Sequence, residues 1–143
     1  MLNRPKVING GSHTDVRGTL GFVNDFDMAE VKRFYKISHP DTTVVRAWRA
    51  HKIEQRWFHA TQGAFEIKLV EIDNWDNPNP HLKQHHFDLS AKENTVLHVP
   101  KGYASSLRAL EPNSTLLIFA DSKIDEVVKD DYLFATDYFI ELK

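Results

Sequence analysis

Turn-forming residues break this chain at short intervals. NGGSH at 9–13, HPDT at 39–42, NWDNPNP at 74–80, SAKEN at 90–94, PKG at 100–102 and EPNS at 111–114 supply the Gly, Pro, Asn, Asp and Ser that turns select. Between them lie GTLGFV, KRFYKIS, TVVRAWRA, RWFHAT, AFEIKLVEI, KQHHFDLS, NTVLHV, SSLRAL and STLLIFA, which either alternate polar and apolar residues or stay apolar throughout. In one of them Phe65, Ile67 and Leu69 alternate with Glu66 and Lys68, the pattern of a half-buried strand. Many short strands at this spacing predict an all-β fold, a sandwich or a barrel. The tail, IDEVVKDDYLFATDYFIELK at 124–143, reads as a short helix followed by an aromatic segment that has to dock on the rest of the fold.

The length of 143 residues suits one domain, 1–143, with a sizeable core. The net charge is −2, so there is no basic field to attract nucleic acid. No apolar run reaches the length of a membrane span, and MLNRPKVINGG lacks the apolar centre of a secretion signal. A soluble, cytoplasmic protein without a membrane partner is the expectation. There is no cysteine, which removes disulfides and thiolate chemistry.

Chemistry concentrates in RAWRAHKIEQRWFHATQG, 46–63. Arg46, Arg49, His51, Lys52, Arg56 and His59 stand there between two apolar strand-like runs. On a strand, Arg49 and His51 share one face and Arg46 and Trp48 the other, unless a bulge intervenes. Likewise Arg56 and Phe58 share one face, and Trp57 and His59 the other. So many cations among apolar neighbours are costly in a closed, dry interior. The cost falls where they line a water-filled cavity that takes an anionic or polyhydroxylated ligand. Arginine offers a planar fork for phosphate or carboxylate, and histidine moves protons near neutral pH. A metal site is not expected. The eight histidines include no HxH pair, His85 and His86 face opposite sides of a strand, and Arg49 occupies the place two before His51 where a second ligand would be convenient.

Several stretches in chain order resemble one family. DVRGTL at 15–20 is similar to a D-x-R-G-x-L opening, VKRFYKI at 31–37 to a K-R-x-Y strand, and RAWRAHK at 46–52 to R-G-F-H-A-H-K. VPKGYASSL at 99–107 resembles the proline-glycine turn and aromatic of the second cupin motif, and DDYLFATDY an aspartate-tyrosine ending. On these residues the chain resembles the RmlC-like cupins that act on nucleotide-linked deoxysugars. Within them it is most similar to the dTDP-4-keto-6-deoxyhexose 3,4-ketoisomerases (WxcM-like) and more distantly to the dTDP-4-dehydrorhamnose 3,5-epimerases. The resemblance implies a cupin jelly-roll β-barrel or sandwich with a short C-terminal extension, a homodimer, a dTDP-linked sugar as ligand, and neither metal nor cofactor.

The resemblance also implies proton transfer beside a ketone through an enediol or enolate, which needs a base, an acid and oxyanion donors. His51 would be the base, Tyr35 or Tyr103 the acid, and Arg49 and Arg56 the enolate donors. Arg17 and Arg46 would bind diphosphate or shape the mouth, with His59 and Tyr103 among the substrate contacts. The departures are specific. Arg49 replaces the first of two histidines, and it cannot act as a base. The histidine after the turn is replaced within Tyr103-Ala104-Ser105, and Phe119 stands near where the epimerases carry a tyrosine. An inactive cupin that binds a sugar nucleotide, or serves as an accessory module, is therefore the alternative. Residue by residue there is also a plain reading: Asp15 and Arg17 as a salt-bridged turn beside Gly18, and Tyr35 and Tyr103 as packing aromatics.

Overall fold

A computed structural model describes residues 4–123 and 128–141. Among these residues there are twelve strands: β1 Lys6–Asn9, β2 Gly11–Asp15, β3 Gly18–Phe22, β4 Arg33–His39, β5 Val45–His51, β6 Arg56–Gln62, β7 Ala64–Glu71, β8 Gln84–Ser90, β9 Thr95–Val99, β10 Tyr103–Ala109, β11 Ser114–Ala120 and β12 Tyr132–Leu133. One five-stranded sheet has the order β1-β9-β6-β11-β4 and the other β12-β5-β10-β7-β8. Every pairing is antiparallel. From β4 to β11 successive strands cross between the sheets, except at the β7–β8 hairpin within one sheet, in the order of a jelly roll, and β1 and β12 extend one edge of each.

The all-β expectation holds, and the alternation read from the sequence accounts for the core. Phe65, Ile67 and Leu69 on β7 meet Phe58 and Ala60 of β6, Leu97 of β9, Leu107 of β10, and Leu116 and Ile118 of β11 between the two sheets. The far face of the second sheet carries a separate cluster of Trp48, Ala50, Val70, Ala104 and Phe139, with Phe134 and Tyr138 packed against it. Thus the aromatic end of the chain docks as expected. The expected tail helix lies partly outside the described residues, and its described part is one 3-10 turn, Val128–Asp130.

Two features depart from the sequence reading. NGGSH, read as a turn, holds the break between β1 and β2, and β2 pairs with β3 as a two-stranded hairpin of its own. Gly10 permits this because a Cβ there would lie 2.1 Å from the Phe22 carbonyl oxygen. The second departure is in β5. Arg49 pairs with Ser105 and Arg46 with Leu107, so three steps on β5 match two on β10. This bulge turns Arg46 onto the core face beside Arg49 and His51, instead of the outer face with Trp48.

Candidate active site

Residues directly opposite one another in an antiparallel pair share a face. Tyr103, Ser105 and Leu107 of β10 pair with Glu71, Leu69 and Ile67 of β7 and with His51, Arg49 and Arg46 of β5. The three β5 residues therefore belong to the core side of the second sheet. On the facing sheet Arg56, Ala120 and Arg33 form one row, and Phe58, Ile118 and Tyr35 the next. A cavity of about 240 Å³ lies between these rows, and its polar lining is Tyr35, Arg46, Arg49, Arg56 and Ser105. Leu133 of β12 contributes to its wall.

The guanidiniums differ in environment. Arg49 is about half exposed and pairs with Asp131 at 3.2 Å. Such an ion pair at a mouth contributes about 0–1 kcal/mol and leaves the arginine available to a stronger anion. Arg56 is buried, at 4% exposure, yet has no carboxylate partner among the described residues. It donates to Ser105 Oγ at 3.2 Å and lies over the Phe58 ring at 5.0 Å. A buried cation with one neutral hydrogen bond and a cavity in front of it is a site prepared for an anion.

His51 is also 4% exposed. Its Nδ1–H donates to the Asp130 carbonyl at 2.8 Å, which leaves the lone pair on Nε2. Burial, and then the nearby Arg56 charge, depress its pKa to about 4, against a smaller upward pull from Asp130 and Asp131. The ring is therefore neutral at pH 7. Tyr35 lines the cavity, and Arg33 stands over its ring at 5.0 Å. Arg33 is itself held by the Ser122 carbonyl at 3.1 Å and by Glu54 at 3.4 Å.

Four expected site residues do not line this cavity. His51 stands two residues beyond Arg49 on β5, in register with Tyr103. Arg17 sits at the exposed tip of the β2–β3 hairpin in an ion pair with Asp15 at 2.6 Å. His59 is on the outer face of its sheet, as the strand period requires, with Nδ1 2.9 Å from the Thr95 carbonyl. Tyr103 is buried beside His51 in register but lines a second cavity, of about 450 Å³, with Arg4, Glu71, Lys83 and His85. Conversely, sequence reasoning assigned no site role to Asp130, Asp131 or Ser105, which hold His51, Arg49 and Arg56. No three His, Asp or Glu side chains converge as a metal site requires among the described residues.

Neutral buried histidines have a consequence for stability. Burial also lowers the pKa values of His39 and His98. Unfolding restores each to about 6.5, so below that pH the unfolded chain binds more protons than the folded one. Stability is therefore full above pH ~6.5 and is lost as the pH falls toward 4. The His51 share is about 3 kcal/mol once both states are protonated. Urea midpoints measured from pH 7.5 to 4 are expected to fall, and to fall less steeply in His51→Asn. Equal slopes in the two proteins would contradict a depressed His51.

The fold and the cavity define a jelly-roll protein of the cupin kind with an arginine-lined mouth, and the comparisons with known proteins agree on the fold. The family model FdtA, WxcM-like, C-terminal, matches residues 4–143, and the chain belongs to that family. Among solved structures it is similar to a His-to-Asn mutant of the 3,4-ketoisomerase QdtA from Thermoanaerobacterium thermosaccharolyticum in complex with TDP-4-keto-6-deoxyglucose. That match has TM-score 0.72 and 20% identity, and covers 97% of this chain and 94% of that one. The TDP-quinovose 3,4-ketoisomerase WlaRB from Campylobacter jejuni matches with TM-score 0.69 and 22% identity, over 96% of this chain and 98% of its own. The RmlC epimerase of Mycobacterium tuberculosis matches with TM-score 0.74 and 15% identity, over 92% and 69% respectively. No curated protein sequence matches.

Proposed function

We propose that this chain is an isomerase or epimerase of a dTDP-linked 4-keto-6-deoxy sugar, acting by proton transfer through an enediol or enolate. The observation that carries the reading is Arg56, a buried guanidinium without an acid partner among the described residues, facing a cavity lined by β5, the strand that also carries the neutral base His51. Family membership and neighbours described as binding TDP or a TDP-sugar support the ligand class. The 4-keto group acidifies the hydrogen on C3, so the reaction asks for no cofactor. His51 Nε2 takes that proton, Arg49 donates to the enolate oxygen, Tyr35 returns a proton, solvent carries the proton from His51 back to Tyr35, and Arg46 and Arg56 meet the diphosphate. A bound anion also offsets the Arg56 charge that depresses His51, so the base gains strength when the ligand arrives.

The test is incubation with dTDP-4-keto-6-deoxyglucose in deuterated water, followed by NMR of the sugar ring. Deuterium at C3, C4 or C5 is the expected result. Saturable dTDP binding with no exchange would favour the alternative, a catalytically inactive sugar-nucleotide binding module. Arg49 in the place of a family histidine is the observation on that side.

The working unit in this reading is a homodimer. The β2–β3 hairpin stands apart from both sheets with Val16, Leu20 and Phe22 exposed, and an isolated hairpin is marginal in water. A second copy of the chain is the cover we assign to it. Sedimentation equilibrium is expected to give twice the chain mass, and Val16→Asp with Leu20→Asp to shift it toward the monomer. A monomer at all concentrations would contradict this.

A further inference from the structure

One residue outside the cavity makes five hydrogen-bond contacts with the stretch that carries the base. The Asp130 carboxylate accepts the backbone N–H of Lys52 at 2.8 Å, of Ile53 at 3.1 and 3.0 Å to its two oxygens, and of Glu54 at 2.8 Å. Its own carbonyl accepts His51 Nδ1–H at 2.8 Å. The residue is 4% exposed and has no Lys or Arg partner among the described residues. Its charge is therefore met by three successive backbone dipoles, a nest of the kind that binds anions. The neighbouring residues reinforce the attachment: Asp131 pairs with Arg49, and Tyr132 with Ala50 across β12 and β5.

We propose that Asp130 is a positioning residue for His51: its carbonyl fixes the Nδ1–H tautomer, and its carboxylate anchors that carbonyl to the turn following His51. The proposal rests on His51 being the proton acceptor and goes beyond it, since it names what keeps the acceptor lone pair on Nε2. A carbonyl only accepts, so the ring nitrogen facing it must carry the proton. A ring released from that carbonyl has two tautomers, and one of them presents an N–H where a base is needed. The charged groups acting on the ring are Arg56 from β6 and Asp130 and Asp131 from the C-terminal segment.

The experiment is long-range proton–nitrogen NMR of the histidine rings at pH 7 in the full, nitrogen-15-labelled chain. Alongside it, solvent-deuterium exchange and dTDP affinity are measured for the unmodified protein and for Asp130→Asn. The unmodified protein should show His51 protonated on Nδ1 and bare on Nε2. In Asp130→Asn, where an NH2 faces the backbone donors, both tautomers should appear. Exchange should drop at least about tenfold, as misplaced catalytic groups do, with dTDP affinity held within about twofold. An Nε2–H tautomer in the unmodified protein overturns the proposal, and this measurement decides it where the variant does not fold. A variant that keeps one tautomer and full exchange also overturns it, as does one that loses dTDP affinity in step with exchange. If the unmodified protein shows the Nδ1–H tautomer but never exchanges deuterium, the positioning geometry is supported and the proton-transfer function fails.

Discussion

His51→Asn is expected to reduce solvent-deuterium incorporation into the sugar ring by about 10²–10⁴-fold, the usual worth of a positioned general base. Asparagine keeps a polar group of similar reach on the same strand face but has no lone pair basic enough to take a carbon-bound proton. The ring it replaces is neutral, buried and held through Nδ1, so the loss falls on the one nitrogen left for chemistry. Affinity for dTDP should change little, because the anion contacts belong to the arginines. A variant that still exchanges at the full rate would remove His51 as the base and direct attention to Tyr35. The exchange is read by NMR of the sugar, with circular dichroism to show that the variant is folded.

Arg56→Met is expected to weaken dTDP binding by about 10- to 100-fold without lowering stability. The first part follows from the loss of a charge-assisted donor in a desolvated site, worth about 1.5–3 kcal/mol. The second part separates a binding role from a structural one. Removing one member of a buried ion pair normally costs about 3–5 kcal/mol, because it strands the partner. Arg56 has no such partner among the described residues, and its removal leaves only Ser105 Oγ short of one long bond. Methionine also keeps an unbranched stem against Phe58. The urea midpoint should hold or rise while the calorimetric affinity falls. A variant that loses stability and keeps its affinity would make Arg56 a structural residue.

The strands from β3 to β11 were legible because turn residues punctuate them and their apolar positions alternate. KVIN at 6–9 was too short to register, and the glycine pair that follows it reads as a turn although Gly10 serves close backbone approach. Strand period alone puts Arg49 with His51 and His59 on the face opposite Arg56, as the register has it, and the expected substrate contact of His59 conflicts with that period. It failed for Arg46, because the bulge exists only in the pairing with β10, which spacing along one strand does not contain. Arg17 and Tyr103 were singled out for their chemistry and their place in motifs, and neither property says which cavity a side chain meets. Asp130 stands in the aspartate-tyrosine ending, but nothing in the sequence shows what it holds. Its partners are backbone N–H groups nearly eighty positions away, and any residue but proline offers one of those.

The most direct test of the arginine cavity is a titration of the labelled protein with dTDP, followed through the arginine side-chain Nε–H signals. The Arg46 and Arg56 signals are expected to move together and saturate at one stoichiometric equivalent per chain, with an affinity that weakens as salt is raised. An Arg56 signal that stays still while dTDP binds, with shifts confined to Arg4 and to the His85 ring at the second cavity, would contradict the assignment of the site.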